Sequence, residues 1–232
     1  MVRPTLIQIP FSHNCVKVRV ALDLKRVAYE TRNVPPADRA AVVAASGQGL
    51  VPVLVDDGQV IVDSTAILLH LEERYPETPL VPHDPAMRAE CLLLADWADH
   101  AFMALARRIS YVNVLASPGR LGTLFYPNDS APARWIKAKL ARRVVIRRFG
   151  LYPGRHAKDV KEAKRLAGLA VARLDGRRWL LGDRPTIADV AWATMPAPLA
   201  ADRDAREDPA VRALLAWGDP LVPQDAKAIY RG

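Results

Sequence analysis

Aromatic residues are scarce in this 232-residue chain, at 6% of the sequence, although half of its residues are hydrophobic. Aromatic side chains favour strands, whereas the abundant Ala and Leu favour helices. The chain is also long enough to bury a sizeable core as one large domain or two small ones. The composition therefore predicts a globular protein in which helix dominates.

Cysteine is nearly absent as well: Cys15 and Cys91 form no CxxC pair and belong to no zinc-binding pattern. Two cysteines are too few for the disulfide framework of a small secreted protein. The chain has no run of about 18 uncharged apolar residues, and its N-terminus lacks the pattern of a signal peptide. We expect a soluble, cytoplasmic protein without a transmembrane segment or a metal.

Positive charge is in excess, with a net charge of +8 and an isoelectric point near 9.8. The excess is local: residues 134–165 contain twelve Lys or Arg against two acids, a net +10. This segment fits either a solvated basic face or a surface for a nucleic acid, an anionic membrane or another polyanion. We favour the solvated face, because aromatic residues are not interleaved there as on base-stacking surfaces.

The first 75 residues predict strands and helices in the order βαβ, α, ββα. Asp57-Gly58 indicates a two-residue hairpin between the last two strands. The parallel first pair requires a helical crossover, which gives a mixed four-stranded sheet. The fold class is α/β with a thioredoxin-like N-terminal domain. The predicted strands are residues 5–10, 29–34, 51–55 and 60–62, and the predicted helices are residues 15–25, 37–45 and 64–75.

Four prolines between residues 76 and 85 predict a stiff linker. We assign residues 1–78 to the thioredoxin-like domain, 79–86 to the linker and 87–232 to an all-helical domain.

Thr186 and Asp189 have the spacing of a capping box, which stabilises the start of a helix and has no role in the chemistry. Helices are predicted at residues 87–114, 133–149, 158–174, 186–195 and 210–217, and a loop at 117–132.

Four local patterns occur in order along the chain: SHNC at residues 12–15, LVPVL at 50–54, DSTAIL at 63–68 and GDRPTIADV at 182–190. Together they resemble the glutathione S-transferase superfamily, most closely its serine and cysteine classes (theta, zeta, tau and omega) in a bacterial-type member. The resemblance implies glutathione as co-substrate, an electrophilic small molecule as second substrate, and a homodimer.

The resemblance also implies roles for residues of the first domain. Ser12 is expected to donate a hydrogen bond to the glutathione sulfur and so lower the pKa of its thiol, unless it is only a helix N-cap. A cis bond between Val51 and Pro52 would let the backbone of Val51 pair with the cysteinyl unit. Ser64, at a helix N-terminus, would bind the γ-glutamyl carboxylate, and Asp63 would hold the ammonium group.

The sequence offers fewer hydrogen-bonding residues for the glycyl end of glutathione than for the other two parts. Leu50 precedes the Val-Pro pair, where family members often carry a polar residue, and its side chain cannot form a hydrogen bond. Gln48 and Arg39 are the candidates that remain for this end.

The electrophile pocket is expected between the domains. Ser12 rather than Cys15 occupies the position of the attacking sulfur in redox relatives, so Cys15 is expected to be a buried structural thiol; a thiol-transferase acting through Cys15 is the minority alternative. The candidate electrophile-pocket residues are His13, Trp97, Phe102, Tyr111 and Phe125.

The leading hypothesis is thus an enzyme that binds reduced glutathione, stabilises its thiolate and directs it at an electrophile by conjugation, isomerisation or reductive cleavage. The alternative is a non-catalytic protein of the same fold that binds or scaffolds partners through the basic segment 134–165.

Overall fold

The computed structural model describes residues 2–231, without the side chains of residues 118 and 228–231. Its N-terminal domain contains a four-stranded sheet of order β2-β1-β3-β4, in which β1 and β2 are parallel and the other pairs antiparallel. This mixed sheet confirms the predicted fold class. The strands are β1 (Thr5–Gln8), β2 (Glu30–Asn33), β3 (Val53–Asp56) and β4 (Gln59–Val62).

The two faces of the sheet are covered by different helices. Leu6 pairs with Leu54 on the face that packs into the main core of the protein. Ile7 pairs with Val53 on the opposite face, in a smaller apolar cluster. Successive strand residues point to opposite faces, so these short apolar strands are buried on both sides. The helices of this domain are α1 (His13–Leu24), α2 (Ala40–Ser46) and α3 (Ser64–Arg74).

The rest of the chain is helical, as predicted. The prolines of the linker separate α3 from the second domain. No helix within the described residues has the length and apolar character needed to cross a membrane. The further helices are α4 (Pro85–Asp96), α5 (Met103–Leu115), α6 (Pro118–Phe125), α7 (Ala131–Phe149), α8 (Arg155–Leu174), α9 (Ile187–Thr194), α10 (Arg203–Arg206), α11 (Pro209–Gly218) and α12 (Gln224–Arg231), with a 3₁₀ helix at Ala197–Ala201.

Two of the predicted boundaries are wrong. The expected loop at 117–132 contains α6, because Ser117 caps a helix whose first residue is a proline, and proline is tolerated in the first helical turn. The expected single helix at 87–114 is interrupted by a π-helical segment, Trp97–Phe102, between α4 and α5. A π-helical turn carries additional residues, so it changes which side chains face the core.

Helices α6 and α7 form a hairpin that packs around a small apolar cluster of its own, including Leu121 and Val145. Their backbones approach closely at Gly122, where a Cβ atom would lie 3.1 Å from the carbonyl oxygen of Arg134. A side chain at this position would require the two helices to move apart by a few tenths of an ångström. Most basic side chains of α7 are exposed, among them Arg142, Arg143 and Arg147.

The capping box of α9 is present as predicted. The carboxylate of Asp189, which is fully buried, accepts hydrogen bonds from the backbone N–H of Thr186 at 2.8 Å, from the Thr186 hydroxyl at 2.7 Å and from the N–H of Leu180 at 2.7 Å. Burial raises the pKa of Asp189, and these donors oppose that shift. Asp189 thus holds the segment before α9 against the start of the helix.

Replacing Asp189 with Ala should therefore destabilise the protein more than loss of an ordinary helix cap. Three buried donors lose their acceptor, and each unsatisfied group costs about 1–3 kcal/mol, so we expect a loss of about 3 kcal/mol or more in urea unfolding. The control is Asp84→Ala, which removes an exposed cap of α4 and should cost about 1 kcal/mol. Equal losses in the two variants would contradict the role given to Asp189.

Candidate functional site

A cavity of about 2050 Å³ lies between the two domains. One wall comes from three segments of the first domain: the turn after β1, the loop before β3 and the start of α3. The other wall comes from α5 and the α6–α7 hairpin. Its volume exceeds that of ordinary small-molecule pockets, so it has room for two substrates side by side.

Ser12 lines this cavity at the end of the turn that follows β1. Its backbone is hydrogen-bonded on both sides, from its N–H to Ile9 at 2.9 Å and from the N–H of Val16 to its carbonyl at 2.8 Å. Its side chain makes no capping bond to α1. The Ser12 hydroxyl is therefore not engaged in capping α1. Ser12 is half-buried in the wall of the cavity.

Val51 and Pro52 are joined by a cis peptide bond, as predicted. Both residues line the cavity, and Val51 lies just before β3, beyond its last paired residue. The preceding Leu50 is exposed. The Gln48 amide is used within its own loop, where it donates to the carbonyl of Leu50 at 2.9 Å and accepts from the Leu50 N–H. Gln48 lines the cavity, but its amide is engaged within its own loop.

Asp63 and Ser64 lie at the N-terminus of α3, in the wall of the cavity. Asp63 has a φ of +74°, in the left-handed region that residues with a side chain rarely adopt. Its Oδ1 accepts from the N–H groups of Thr65 at 2.9 Å and Ala66 at 3.1 Å, so capping leaves Oδ2 unused. Ser64 is buried. The arrangement offers an anion-binding helix end beside one carboxylate oxygen.

Arg39 reaches the cavity from the N-cap of α2, next to the loop that contains Gly49. Its Nη1 is buried and has no hydrogen-bond partner among the described residues. Burial lowers the pKa of Arg39. A buried guanidinium donor without an acceptor is costly, and a carboxylate is the partner that fits it best.

His13 is buried at the base of the cavity, next to Ser12. Burial, together with the charges of Arg107 and Lys17, lowers its pKa to about 3. The imidazole is therefore neutral near pH 7. The Arg107 guanidinium lies 3.4 Å from Nε2 of His13, so this nitrogen is assigned as the acceptor and Nδ1 carries the proton.

The Cys15 side chain lies behind Ser12 and does not line the cavity. It is completely buried, and burial raises the pKa of its thiol to about 11. A thiol nucleophile needs a lowered pKa and access to substrate. The structure thus places Cys15 as a buried thiol, in agreement with the prediction.

The aromatic residues predicted for the electrophile pocket fall into two groups. Tyr111 and Phe125 do line the cavity, with ring centroids 6.2 Å apart. Trp97 and Phe102 do not line the cavity. Their rings pack on Trp192 in the core, with ring centroids 5.0 Å and 5.3 Å from that of Trp192. That part of the prediction is wrong, because the π-helical segment turns both side chains towards α9.

Sequence reasoning missed three arginines of the cavity, Arg107, Arg120 and Arg148. A signal for one of them was available, because Arg107 precedes Tyr111 by one helical turn and shares its face. Arg148 lies in the basic segment 134–165, whose composition predicts a charged face but not a cavity position. Within the described residues, no group of three or more His, Cys, Asp or Glu side chains could hold a metal ion.

Residues 6–79 match the family model for the glutathione S-transferase N-terminal domain. Among curated proteins, a probable maleylacetoacetate isomerase of Caenorhabditis elegans is 43% identical over 76 residues, which cover 32% of this chain and 36% of that protein. A zeta-class glutathione S-transferase of Euphorbia esula is 42% identical over 137 residues, or 57% of each chain. The matched segments span only about a third of the length of the first of these relatives.

The likeness to solved structures extends over nearly the whole chain. A glutathione S-transferase from Rhodospirillum rubrum superposes with a TM-score of 0.66 and 27% sequence identity, covering 97% of this chain and 99% of that one. The family model thus accounts for the first domain, and the structural match for both domains in their common order. The first domain belongs to the glutathione S-transferase N-terminal domain family, and the whole chain has the fold of the glutathione S-transferase superfamily.

Proposed function

We propose that this protein is a glutathione transferase: residues 1–78 bind reduced glutathione, and residues 87–232 hold an electrophile against its sulfur. The observation that carries the proposal is the convergence of Ser12, Val51 and Ser64, from three separate segments of the first domain, on one wall of one cavity. The opposite wall leaves space for a second molecule.

Each part of glutathione has a chemical partner on this wall. The α3 N-terminus at Ser64 binds the γ-glutamyl carboxylate through N–H groups and the hydroxyl, while Oδ2 of Asp63 accepts from the ammonium. The backbone of Val51 pairs with the cysteinyl unit as an added strand. With Gln48 engaged in its own loop, Arg39 takes the glycyl carboxylate.

The chemistry begins with the thiol of glutathione losing its proton to solvent. The Ser12 hydroxyl donates to the sulfur and favours the thiolate, which is the reactive form. In conjugation the thiolate forms a C–S bond with a carbon of the electrophile, and the leaving group departs with its bonding electrons. In isomerisation it adds to a carbon–carbon double bond, whose π electrons move to the neighbouring carbon, and it leaves again as that double bond re-forms. Names of relatives include glutathione S-transferase and maleylacetoacetate isomerase, so both conjugation and isomerisation fall within the proposal.

We further propose a cytoplasmic homodimer with two-fold symmetry, in which the first domain of one subunit faces the helical domain of the other. Exposed apolar side chains support such a contact: Val60 and Val62 lie on the edge strand β4, and Leu93 on α4 is 69% exposed. A homodimer interface would cover these side chains.

The first test is calorimetric binding of reduced glutathione to the wild type and to Ser64→Ala. Wild type should bind in the micromolar to low millimolar range, and Ser64→Ala should bind more weakly by about 1–3 kcal/mol, because a hydrogen bond to the carboxylate is lost. Ser130→Ala, at the exposed N-cap of α7, is the matched control and should bind like wild type. Absence of wild-type binding at several millimolar would refute the proposal for glutathione.

The roles of Ser12 and Cys15 can be distinguished by measuring the rate of glutathione transfer to a chlorodinitrobenzene in variants of each residue. Ser12→Ala should lose about tenfold or more in kcat/KM, because the donor to the sulfur is removed. Cys15→Ser should keep nearly full activity, since the pKa of the buried thiol is raised and it does not line the cavity. Loss of most activity in Cys15→Ser would instead favour the thiol-transferase alternative.

A further inference from the structure

We propose that the outer face of α7 binds the surface of an anionic lipid bilayer. This outer face consists of two rows of side chains: the apolar Ile136, Leu140 and Val144, and the basic Lys139, Arg143 and Arg147. The inference concerns a surface on the helical domain and does not depend on the proposed function. It rests on the spacing, the exposure and the charge of these side chains.

Helical spacing places the two rows side by side. Residues four apart lie one turn above the other on a helix, so Ile136, Leu140 and Val144 form a continuous row. Each basic residue follows an apolar one by three positions and is therefore its neighbour on the helix surface. Ala138 and Val145 are buried on the opposite side of α7, in the apolar cluster of the α6–α7 hairpin. The outer face therefore points away from the protein.

The apolar row is exposed to solvent. Ile136 is 54% exposed, Leu140 71% and Val144 64%. Single exposed apolar side chains are common on protein surfaces, whereas a contiguous patch marks an interaction surface. A helix face that meets only water carries polar residues instead. The solvated basic face expected from the sequence therefore does not account for this row.

The charge of α7 is of one sign. The helix contains seven Lys or Arg and no Asp or Glu. Lys137 donates to Asp129 at 2.8 Å, but no carboxylate among the described residues forms an ion pair with Arg142, Arg143 or Arg147. A cluster of about four to eight Lys or Arg on an amphipathic helix is typical of binding to anionic lipids. The same charge repels a second copy of this face.

A bilayer is the anionic partner that suits both rows of the outer face. Its headgroups pair with the cations, and its apolar interior accepts the aliphatic side chains. A nucleic acid offers phosphates to the basic row but little apolar surface to the other. A protein groove that encloses a helix cannot surround α7, because the inner side of α7 is already packed in the hairpin.

Trp135 lies at the edge of the outer face, one turn before Lys139, and is 49% exposed. The Nζ of Lys139 lies 3.6 Å from the centroid of the Trp135 ring. Tryptophan is enriched where a membrane meets water, because its ring is apolar and its N–H is polar. The ammonium also covers one face of the ring that would otherwise be open to a stacked base. Trp135 therefore fits the boundary of a bound bilayer.

The outer face adjoins the cavity between the domains, because Val144 also lines that cavity. The other five residues of the outer face do not line it. Variants at Leu140, Arg143 and Arg147 therefore test binding to lipid without changing the cavity.

Vesicle flotation with the full chain tests the inference, and it contains no glutathione, so its outcome is independent of the proposed function. Wild type should bind vesicles of equal parts phosphatidylcholine and phosphatidylserine. It should bind vesicles of phosphatidylcholine alone at least tenfold more weakly. High salt should release it from the anionic vesicles, because screening weakens the attraction of the basic row.

Two variants separate the contributions of the two rows. Arg143→Gln combined with Arg147→Gln should lower the partition onto the anionic vesicles about tenfold or more, because two cations near the lipid surface are lost. Leu140→Ser should lower it about tenfold, because an apolar side chain no longer enters the bilayer.

The controls make the same changes at exposed positions outside α7. Arg32→Gln combined with Arg212→Gln removes the same charge, and Leu169→Ser removes a partly exposed leucine of α8. Both controls should bind like wild type.

Absence of wild-type binding to the anionic vesicles at low salt would overturn the inference. Equal binding by Leu140→Ser and Leu169→Ser would do so as well, since attraction of the cations alone would then explain the binding. Binding to a DNA duplex that is lost in the Arg143→Gln, Arg147→Gln variant, without binding to vesicles, would assign the face to a nucleic acid instead.

Discussion

The buried ion pair between Lys17 and Asp99 is the contact on which the geometry of the site depends. The Lys17 Nζ lies 2.5 Å from Oδ2 of Asp99, and the Thr65 hydroxyl donates to the same oxygen at 3.1 Å. Both charged residues are buried, so loss of either partner would leave an uncompensated charge inside the protein, at a cost of about 3–5 kcal/mol. The pair ties α1, which follows Ser12, to α3, which begins at Ser64, and both to the π-helical segment of the second domain.

The linker forms a second connection between the two domains that line the cavity. Glu72 of α3 accepts from the Lys25 ammonium at 2.6 Å and from the N–H of Leu80 at 3.0 Å. The carbonyl of Leu80 in turn accepts from the N–H of Ile187, the first residue of α9, at 2.8 Å. The linker is thus bonded on both sides. These hydrogen bonds connect α3 of the first domain to α9 of the second through the linker.

Much of the first domain could be predicted from sequence because its signals are local. Short apolar strands, a hairpin dipeptide and helix caps each act within a few residues, and Ser12, Pro52 and Ser64 lie at the junctions of those elements. The helical domain is harder, since a helix has several faces and packing decides which of them is buried. Phe102 is an example: its position in the sequence predicts a pocket residue, but its ring packs on Trp192 of α9. Arg148 was overlooked because only the tertiary contact of α7 with α5 brings it to the cavity.

The most direct test of the account is the pKa of the glutathione thiol in the complex, followed by the ultraviolet absorbance of the thiolate as pH is raised. Hydrogen bonding from Ser12, in a cavity with an excess of positive charge, should lower this pKa by about one to two units from its value in free glutathione. In Ser12→Ala most of that shift should disappear. A bound thiol that titrates like free glutathione, or an equal shift in Ser12→Ala, would contradict the assignment of Ser12 as the residue that activates the sulfur.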